Sequence, residues 1–368
     1  MSEPVQRRTL FGRAVVPCQA RASRFHSSVA GMSVAGMLSL CGAVSLLLLS
    51  ATAPVQAATD GQTRYSIESA KAASNLLLDI TEAGDRLVVA GDRGHILYSD
   101  DGGDSWAQAK VPTRQLLTAI DFVDDKHGWA VGHDALVLST SDGGQSWQVQ
   151  YEDREREAPL LDVWFEDTQH GIAVGAYGAL IETIDGGQSW DDISDRLENE
   201  DGFHLNAIAH IDGSGLFVVG EMGGMFRSAD MGETWEKVES PYQGSFFGVV
   251  GGSEPGVVIA FGLRGHLFRS ADFGDSWEGI ELRNGNGHAL ESGLADGNLL
   301  RDGRIAVVGH GGAVLTSDDQ GRSFKLVNRP DRRSLSGVTS DSQGNLILVG
   351  QGGVRIASPS GADLAPKQ

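Results

Sequence analysis

The sequence predicts an all-β fold, a seven-bladed β-propeller with four-stranded antiparallel blades, on the strength of three observations. Six copies of an Asp box recur along the chain, and their aromatic positions are spaced by 41, 43, 45, 42 and 47 residues. A Gly-x-x-Gly pattern recurs between short apolar runs. The chain has 50 Gly and only 10 Pro, which indicates many tight turns. A period of about 40–50 residues is typical of a propeller blade.

Each part of the Asp box, Ser/Thr-x-Asp-x-Gly-x-Ser/Thr-Trp, has a structural task. The Asp can accept hydrogen bonds from turn amides, and the Gly can adopt a backbone conformation that side chains disfavour. The aromatic residue begins the outer strand and can bury its ring between two blades. The six pairs of Asp and aromatic residues are Asp101 and Trp106, Asp142 and Trp147, Asp185 and Trp190, Asp230 and Trp235, Asp272 and Trp277, and Asp319 and Phe324. We interpret these residues as structural rather than catalytic.

The Gly-x-x-Gly copies predict the turn between the second and third strands of each blade. There are seven of them, and in the second blade Ala135 replaces the later Gly. The pattern also places one inner strand before each turn. The predicted inner strands are residues 76–80, 117–123, 160–165, 205–210, 246–250, 289–294 and 335–339.

The two ends of the chain predict how the ring closes. The last blade stops after residues 354–358, without a recognisable box or outer strand. Residues 65–69, near the other end, resemble the outer strand at residues 235–240. We therefore expect the N-terminal strand to complete blade seven, which would remove both free sheet edges.

The first 57 residues differ in composition from the rest and predict a signal peptide, with the propeller at residues 58–368. A basic start is followed by an apolar run from Val34 to Ala51 and by the small-x-small pattern Val55-Gln-Ala57. These are the three parts of a secretory signal. The alternative is a retained membrane anchor, since about 18 apolar residues is the lower limit for a span. We expect a periplasmic or secreted protein, on the lumenal side if the host is photosynthetic.

Charge and cysteine content exclude several functional classes. Cys18 and Cys41 both lie in the predicted leader, so the mature chain can form no disulfide or thiolate metal site. The formal net charge of −20 becomes −24 when the five basic residues and one acidic residue of the leader are removed. Such a surface repels nucleic acid. We expect a monomer that binds no nucleic acid.

The turns after the second strands share one rim of the propeller with the outer-to-inner connections, while the Asp boxes lie on the opposite face. Side chains between the rim glycines differ from blade to blade on a repeated scaffold, which is where binding residues are usually found. The predicted partner-binding residues are Arg93, His133, Tyr177, Glu221, Arg264, His310, Arg332 and Arg333.

The repeats resemble a known family at these residues. The stretch from Trp129-Ala-Val-Gly132 to Asp142-Gly-Gly-Gln-Ser-Trp147 is similar to the photosystem II stability and assembly factors of chloroplasts and cyanobacteria, which also have relatives in non-photosynthetic bacteria. The resemblance implies an exported, non-catalytic propeller that assists assembly or stability of a membrane-protein complex by binding the complex or its nascent subunit. The Asp box also occurs in sialidases and sortilin-type receptors, so it specifies fold better than function.

Two other functions remain open from the residues. A sialidase-like glycoside hydrolase would use Tyr177 as nucleophile with Glu221 as its partner. However, the arginine-isoleucine-proline motif of sialidases is absent, and the predicted inner strands contain no Arg. A sugar-binding propeller would need rim aromatics, for which Tyr177 and Tyr242 qualify. His133 and His310 lie on different blades without metal-ligand spacing, so we expect no metal, no cofactor and no catalytic residue.

Overall fold

Seven antiparallel sheets follow one another along the chain in a computed structural model that describes residues 63–284 and 286–364. Six sheets have four strands, and the last has three. The described residues belong to the compact unit Asp60–Gln368, and the predicted signal peptide lies outside them. The predicted all-β, seven-bladed propeller is confirmed.

Strands are numbered in chain order, and each blade runs from the inner strand outwards. The inner strands are β1 (Leu77–Ala83), β5 (Leu117–Phe122), β9 (Leu160–Phe165), β13 (Leu205–Ile211), β17 (Phe246–Gly251), β21 (Leu294–Leu299) and β25 (Leu335–Ser340). The second strands are β2 (Arg86–Gly91), β6 (Gly128–Gly132), β10 (Gly171–Gly175), β14 (Gly215–Gly220), β18 (Val258–Gly262), β22 (Ile305–Gly309) and β26 (Leu346–Gly350). The third strands are β3 (Ile96–Ser99), β7 (Leu136–Thr140), β11 (Leu180–Thr183), β15 (Met225–Ser228), β19 (Leu267–Ser270), β23 (Ala313–Ser317) and β27 (Arg355–Ala357). The outer strands are β4 (Ala107–Gln108), β8 (Gln148–Tyr151), β12 (Asp191–Asp192), β16 (Glu236–Lys237), β20 (Glu278–Gly279) and β24 (Lys325–Asn328).

The helices of residues 63–284 and 286–364 are single 3₁₀ turns of three residues, none of which is long enough to cross a membrane. Two lie in connections, at Ala72–Ser74 and Ser194–Arg196. Six form rim turns after the second strands, at Asp92–Gly94, His133–Ala135, Ala176–Gly178, Glu221–Gly223, Leu263–Gly265 and His310–Gly312.

The hydrophobic core lies between the blades. The second strands β6, β10, β18, β22 and β26 are buried along their whole length, because both faces of each strand pack on neighbouring blades. Their sequences are therefore continuous apolar runs rather than alternating ones. One such cluster, between blades one and two, joins Val88, Ala130, Leu138 and Trp147.

One predicted inner strand is displaced. The sequence pattern placed it at residues 289–294, whereas β21 runs from Leu294 to Leu299. The middle of β21 is Asp296-Gly-Asn298, which gives it a weak apolar signal. Ala289 instead forms an isolated bridge with Arg283 in the preceding connection.

The prediction that the N-terminal strand closes blade seven is wrong. Residues 65–69 form no strand and lie on blade one, where the Ser66 amide donates to the Val111 carbonyl at 2.9 Å and the Gln108 side chain donates to the Ile67 carbonyl at 3.1 Å. The partners of this segment are Gln108 and Val111 in the outer part of blade one. A strand pattern in the sequence does not show which blade a terminal segment will contact.

The C-terminal tail takes the fourth position of blade seven. The chain turns back after β27, and Asp363 forms an antiparallel bridge with Ala357. Arg329, only 5% exposed, holds this tail: its guanidinium pairs with Asp363 at 2.5 Å and donates to the Gly361 carbonyl at 3.3 Å. Blades seven and one then meet through apolar packing that includes Leu77, Ile80, Ile347 and Val349.

We expect Asp363→Ala to lower the free energy of unfolding by about 1–3 kcal/mol, because it leaves a buried cation with one fewer acceptor. Asp363 itself is more than half exposed, so solvent keeps the loss below that of a fully buried pair. Urea denaturation measures the change. The matched control is Asp318→Ala, which breaks the exposed pair with Lys325 and should have almost no effect. Equal effects of the two substitutions would contradict closure by the tail.

Candidate functional site

The rim turns share one unusual backbone geometry. The third residue of each Gly-x-x-Gly copy has a left-handed conformation, with φ between 51° and 60° at Arg93, Asp134, Tyr177, Met222 and Arg264. This conformation is costly for non-Gly residues and often occurs at functional positions. At the same positions in blades six and seven lie Gly311 and Gly352. The first five rim turns thus carry side chains where the last two carry none.

The rim turns pack tightly on the outer-to-inner connections, as predicted. An added Cβ at Gly94 would lie 2.4 Å from the Thr113 carbonyl oxygen, and φ there is +69°, so only Gly fits. The Ala135 amide in blade two donates to the Ala158 carbonyl at 2.9 Å. These contacts join turn and connection into one surface, which we call the rim.

The eight predicted partner-binding residues all lie on this rim, and seven are exposed while Glu221 is half-buried. Within the described residues, no hydrogen bond, ion pair or ring contact joins the side chains of Arg93, His133, Arg264 and His310 to one another. Arg93 pairs with its neighbour Asp92 at 3.3 Å. The structure therefore distributes the predicted residues around the ring rather than gathering them in one pocket.

Tyr177 and Glu221 are brought close, with a third residue between them. The Tyr177 ring packs edge-on against the His204 ring, at 5.1 Å between centroids. His204 Nδ1 lies 3.8 Å from Glu221 Oε1. A glycosidase would need the Glu in contact with the Tyr hydroxyl, and within the described residues no hydrogen bond joins these two side chains, while His204 contacts both.

Apolar side chains are exposed on the rim of three consecutive blades. Tyr177 in blade three is 68% exposed and Met222 in blade four is 59% exposed, and Leu263 in blade five is also exposed. A cavity of about 300 Å³ next to this turn is lined by apolar residues such as Leu282 and also by charged ones, Arg264 among them. Exposed apolar surface that extends over several elements is characteristic of interaction sites.

The Asp boxes connect the third and outer strands, on the opposite face from the rim turns, and each forms an internal hydrogen-bond network. In each box the carboxylate accepts the amide and the hydroxyl of the Ser or Thr four residues later; for Asp101 these are Ser105 N at 2.8 Å and Ser105 Oγ at 2.5 Å. The Ser105 and Ser99 groups hold the pKa of Asp101 at about 2. The pKa values of the other five box carboxylates are also lowered, with hydrogen bonds from the box opposing the effect of burial. These carboxylates are occupied by the turn.

The central channel contains four half-buried carboxylates that the sequence analysis missed. A cavity of about 600 Å³ is lined by Asp79, Asp121, Asp162 and Asp296, and no Lys or Arg of the described residues lines it. Each carboxylate links two blades; Asp162 accepts the Val163 amide at 2.8 Å and the Ile208 amide of the next inner strand at 2.9 Å. The signal was available, because three of these Asp stand two residues after the first apolar residue of an inner strand.

Burial changes the protonation of these channel carboxylates. Loss of hydration raises the pKa of Asp121 to about 6 and, with the neighbouring negative charges, that of Asp162 to about 8. The pKa values of Asp79 and Asp296 are raised for the same reason. Some of the channel carboxylates therefore remain protonated near neutral pH.

In the described residues, no group of three or more His, Cys, Asp and Glu has the arrangement of a metal site.

The fold and its repeats define the class of protein, which is an Asp-box β-propeller whose rim turns and connections form one surface. The family model described as photosynthesis system II assembly factor YCF48 matches residues 103–160 and 150–279. A curated relative, the photosystem II assembly protein Ycf48 of Synechococcus sp. (strain JA-3-3Ab), is 42% identical over 140 residues, which is 37% of this chain and 41% of the relative. The chain spans less than half the length of the curated relatives it matches. Sequence and fold together make the chain similar to the photosystem II assembly factors.

Solved structures agree on the fold. A structure of YCF48 bound to D1 peptide matches with a TM-score of 0.60 at 17% identity, over 78% of this chain and 94% of the other. A streptogramin B lyase matches with a TM-score of 0.65 at 11% identity, over 80% of this chain and 97% of the other. These identities are low and the two proteins differ in function. The matches therefore establish the propeller architecture and say nothing about the activity of this chain.

Proposed function

We propose that the chain is a non-catalytic binding protein whose rim docks a polypeptide segment of a membrane-protein subunit during assembly of its complex. The observation that carries this proposal is the exposure of Tyr177 and Met222 on left-handed rim turns, with Leu263 on the next blade. These side chains project from rigid, strained turns, so little conformational freedom is lost when a partner covers them. Such a broad, discontinuous apolar arc suits an extended segment better than a single small molecule.

Two further observations support this proposal. The named relatives are photosystem II assembly proteins, and one of the similar propellers has been solved with a peptide. The cations Arg264, Arg332 and Arg333 lie on the same rim, and Arg is enriched where binding energy concentrates. The basic, apolar and small-residue segments of residues 1–57 support an extracytoplasmic location, on the side of the membrane where such a segment would be exposed.

The test is capture of a client by tagged protein from solubilised membranes. We expect the double variant Tyr177→Asn, Met222→Asn to capture at least about tenfold less, since two central contacts of more than 1 kcal/mol each would be lost. Asn tolerates the left-handed conformation, so the turns and the melting temperature should be kept. Arg264→Glu should weaken capture on the same rim.

The matched control lies on the opposite face. Gln188→Lys changes the charge of an exposed residue in an Asp box, and it should leave capture unchanged. Greater sensitivity of the Asp-box face than of the rim would refute the docking assignment. Hydrolysis of a sialoside by the wild type but not by Tyr177→Phe would favour the glycosidase instead.

A further inference from the structure

Two guanidinium groups meet above the rim turn of blade seven. An added Cβ at Gly352 would lie 2.0 Å from a terminal nitrogen of Arg333 and 2.8 Å from a terminal nitrogen of Arg355. These two nitrogens are therefore no further apart than the sum of the two distances, about 4.8 Å. Two cations this close repel each other, and an anion that contacts both converts the repulsion into attraction. Several N–H donors that face one point are the arrangement in which proteins bind oxyanions.

The charges of this arginine pair are only partly compensated within residues 63–284 and 286–364. Arg355 makes one ion pair, with Asp331 at 3.4 Å, which is longer than a charge-assisted hydrogen bond, and its buried Nε has no hydrogen-bond acceptor. The main-chain amide of Arg333 donates to Asp331 at 3.3 Å, but its guanidinium forms no ion pair or hydrogen bond. Asp331 thus orients both arginines and leaves a formal excess of one positive charge.

Blade two contains the same pair of positions with both groups supplied by the chain. Gln115 and Arg333 each stand two residues before the first residue of an inner strand. Asp134 and Gly352 each stand third in a rim turn, with φ of 60° and 85°. In blade two the Gln115 side chain donates to the Asp134 carboxylate. In blade seven the donor is a cation and the position of the carboxylate is a glycine, so the repeat itself indicates that a carboxylate fits there.

The main chain around the arginine pair is fixed by hydrogen bonds. The Arg329 amide donates to the Gly312 carbonyl at 2.8 Å, and Arg332, in the left-handed conformation with φ of 52°, closes the turn that precedes the pair. On the other side, the Gln351 amide donates to the Ser334 carbonyl at 2.9 Å. Because both stretches of backbone are held in place, only side-chain rotamers lose freedom when a ligand binds.

We propose that Arg333 and Arg355 form a binding site for a carboxylate group above Gly352. Their N–H groups donate to the two carboxylate oxygens, and planar guanidinium groups suit this ligand better than ammonium groups do. The carboxylate has two sources, a free small carboxylate ion and an Asp or Glu side chain of a polypeptide docked on the rim. The second source rests on the proposed function, whereas the binding site itself does not.

The site is tested by titrating sodium acetate into the purified chain at constant ionic strength while the Nε–H signals of the arginines are followed by NMR. We expect the signals of Arg333 and Arg355 to shift and to saturate. Arg333→Gln should weaken acetate binding at least about tenfold, because it removes the cation that has no other partner. The matched control is Lys126→Gln, which removes an exposed cation next to an Asp box and should leave binding unchanged.

A carboxylate can also be supplied from within the chain. Gly352→Asp places one at the position that Asp134 has in blade two, and Asp tolerates the left-handed conformation. We expect this variant to lose acetate binding and to melt at a higher temperature than Gly352→Asn, which has the same shape and the same backbone strain without the charge. The difference between the two melting temperatures should become smaller when Arg333→Gln is added, because the charge acts on the arginine pair.

Two results would overturn the proposal. One is an acetate titration in which Arg333 and Arg355 respond no more than the other arginines, and the other is equal melting temperatures of folded Gly352→Asp and Gly352→Asn variants. Client capture then separates the two sources. Reduced capture by Arg333→Gln would assign the carboxylate to a docked segment, and unchanged capture would assign it to a free ion. Normal capture by the Tyr177→Asn, Met222→Asn variant would contradict rim docking and would leave the acetate result untouched.

Discussion

Trp147→Ala is expected to lower the free energy of unfolding by about 3–5 kcal/mol. The side chain is only 3% exposed and lies between blades one and two, where it packs edge-on against Phe122 at 6.0 Å between ring centroids. Its indole nitrogen also donates to the Gly144 carbonyl at 3.0 Å. Truncation would leave a cavity at a joint between blades, and the rigid β-sheets on both sides cannot collapse to fill it.

Urea denaturation of the purified chain measures this loss, with the slope of the transition used to check that unfolding remains cooperative. The matched control is Val149→Ala, two residues further along the same segment, whose side chain is 46% exposed. It should change stability by less than about 0.5 kcal/mol. If Trp147→Ala proved equally mild, the box aromatics would not be the joints between blades.

The sequence was most informative where local chemistry is repeated. An Asp that accepts the amide four residues later, a Gly with positive φ and an aromatic residue that packs on the preceding blade all belong to one short segment, so its six copies can be recognised from the sequence alone. The same is true of the rim turns, whose positions follow from paired glycines. Repetition allows the blade count and the two faces to be derived from a single chain.

Features that depend on distant partners were not predictable in this way. Closure of blade seven depends on Arg329 reaching Asp363, a contact between a connection and a tail with a degenerate box. Residues 357–364 have the spacing of a box, but Pro359 and Leu364 stand where the other copies have Asp and an aromatic residue. The channel carboxylates were missed because a single Asp interrupts the apolar pattern of an inner strand without any obvious role. The repeated position of these Asp becomes visible only when the inner strands are aligned with one another.

The second large effect is expected from pH, with the folded protein most stable near pH 4–5 and progressively less stable towards pH 9. The channel carboxylates have pKa values raised by burial, to about 6 for Asp121 and about 8 for Asp162, whereas an unfolded Asp titrates near about 4. Between these values the folded state binds more protons than the unfolded state. Stability therefore falls as pH rises, by about 1.4 kcal/mol per pH unit for each proton difference.

The opposite slope is expected at the acidic end. The box carboxylates have lowered pKa values, about 2 for Asp101, so the unfolded state binds more protons than the folded state below about pH 4. Their contribution is present above the pKa of the unfolded chain and is lost as pH falls towards 2. Urea denaturation repeated from pH 3 to pH 9 should therefore give a maximum on the acidic side of neutrality.

Asp162→Asn separates the channel contribution from all others. The two oxygens of Asp162 accept different amides, from Val163 and Ile208, and the NH₂ group of an Asn can accept neither, so through the lost acceptor the variant should lose a similar increment of stability at every pH. Towards pH 9 the wild type must also keep a partly buried charge beside Asp79 and Asp121, and the variant does not, so the stability of the variant should fall less between pH 5 and pH 9 than that of the wild type. The matched control is Asp195→Asn, an exposed carboxylate on the Ser194–Arg196 turn, which should leave the pH profile unchanged. A variant that lost the same stability at every pH would show that Asp162 acts only as a hydrogen-bond acceptor between blades three and four, and that its charge plays no part.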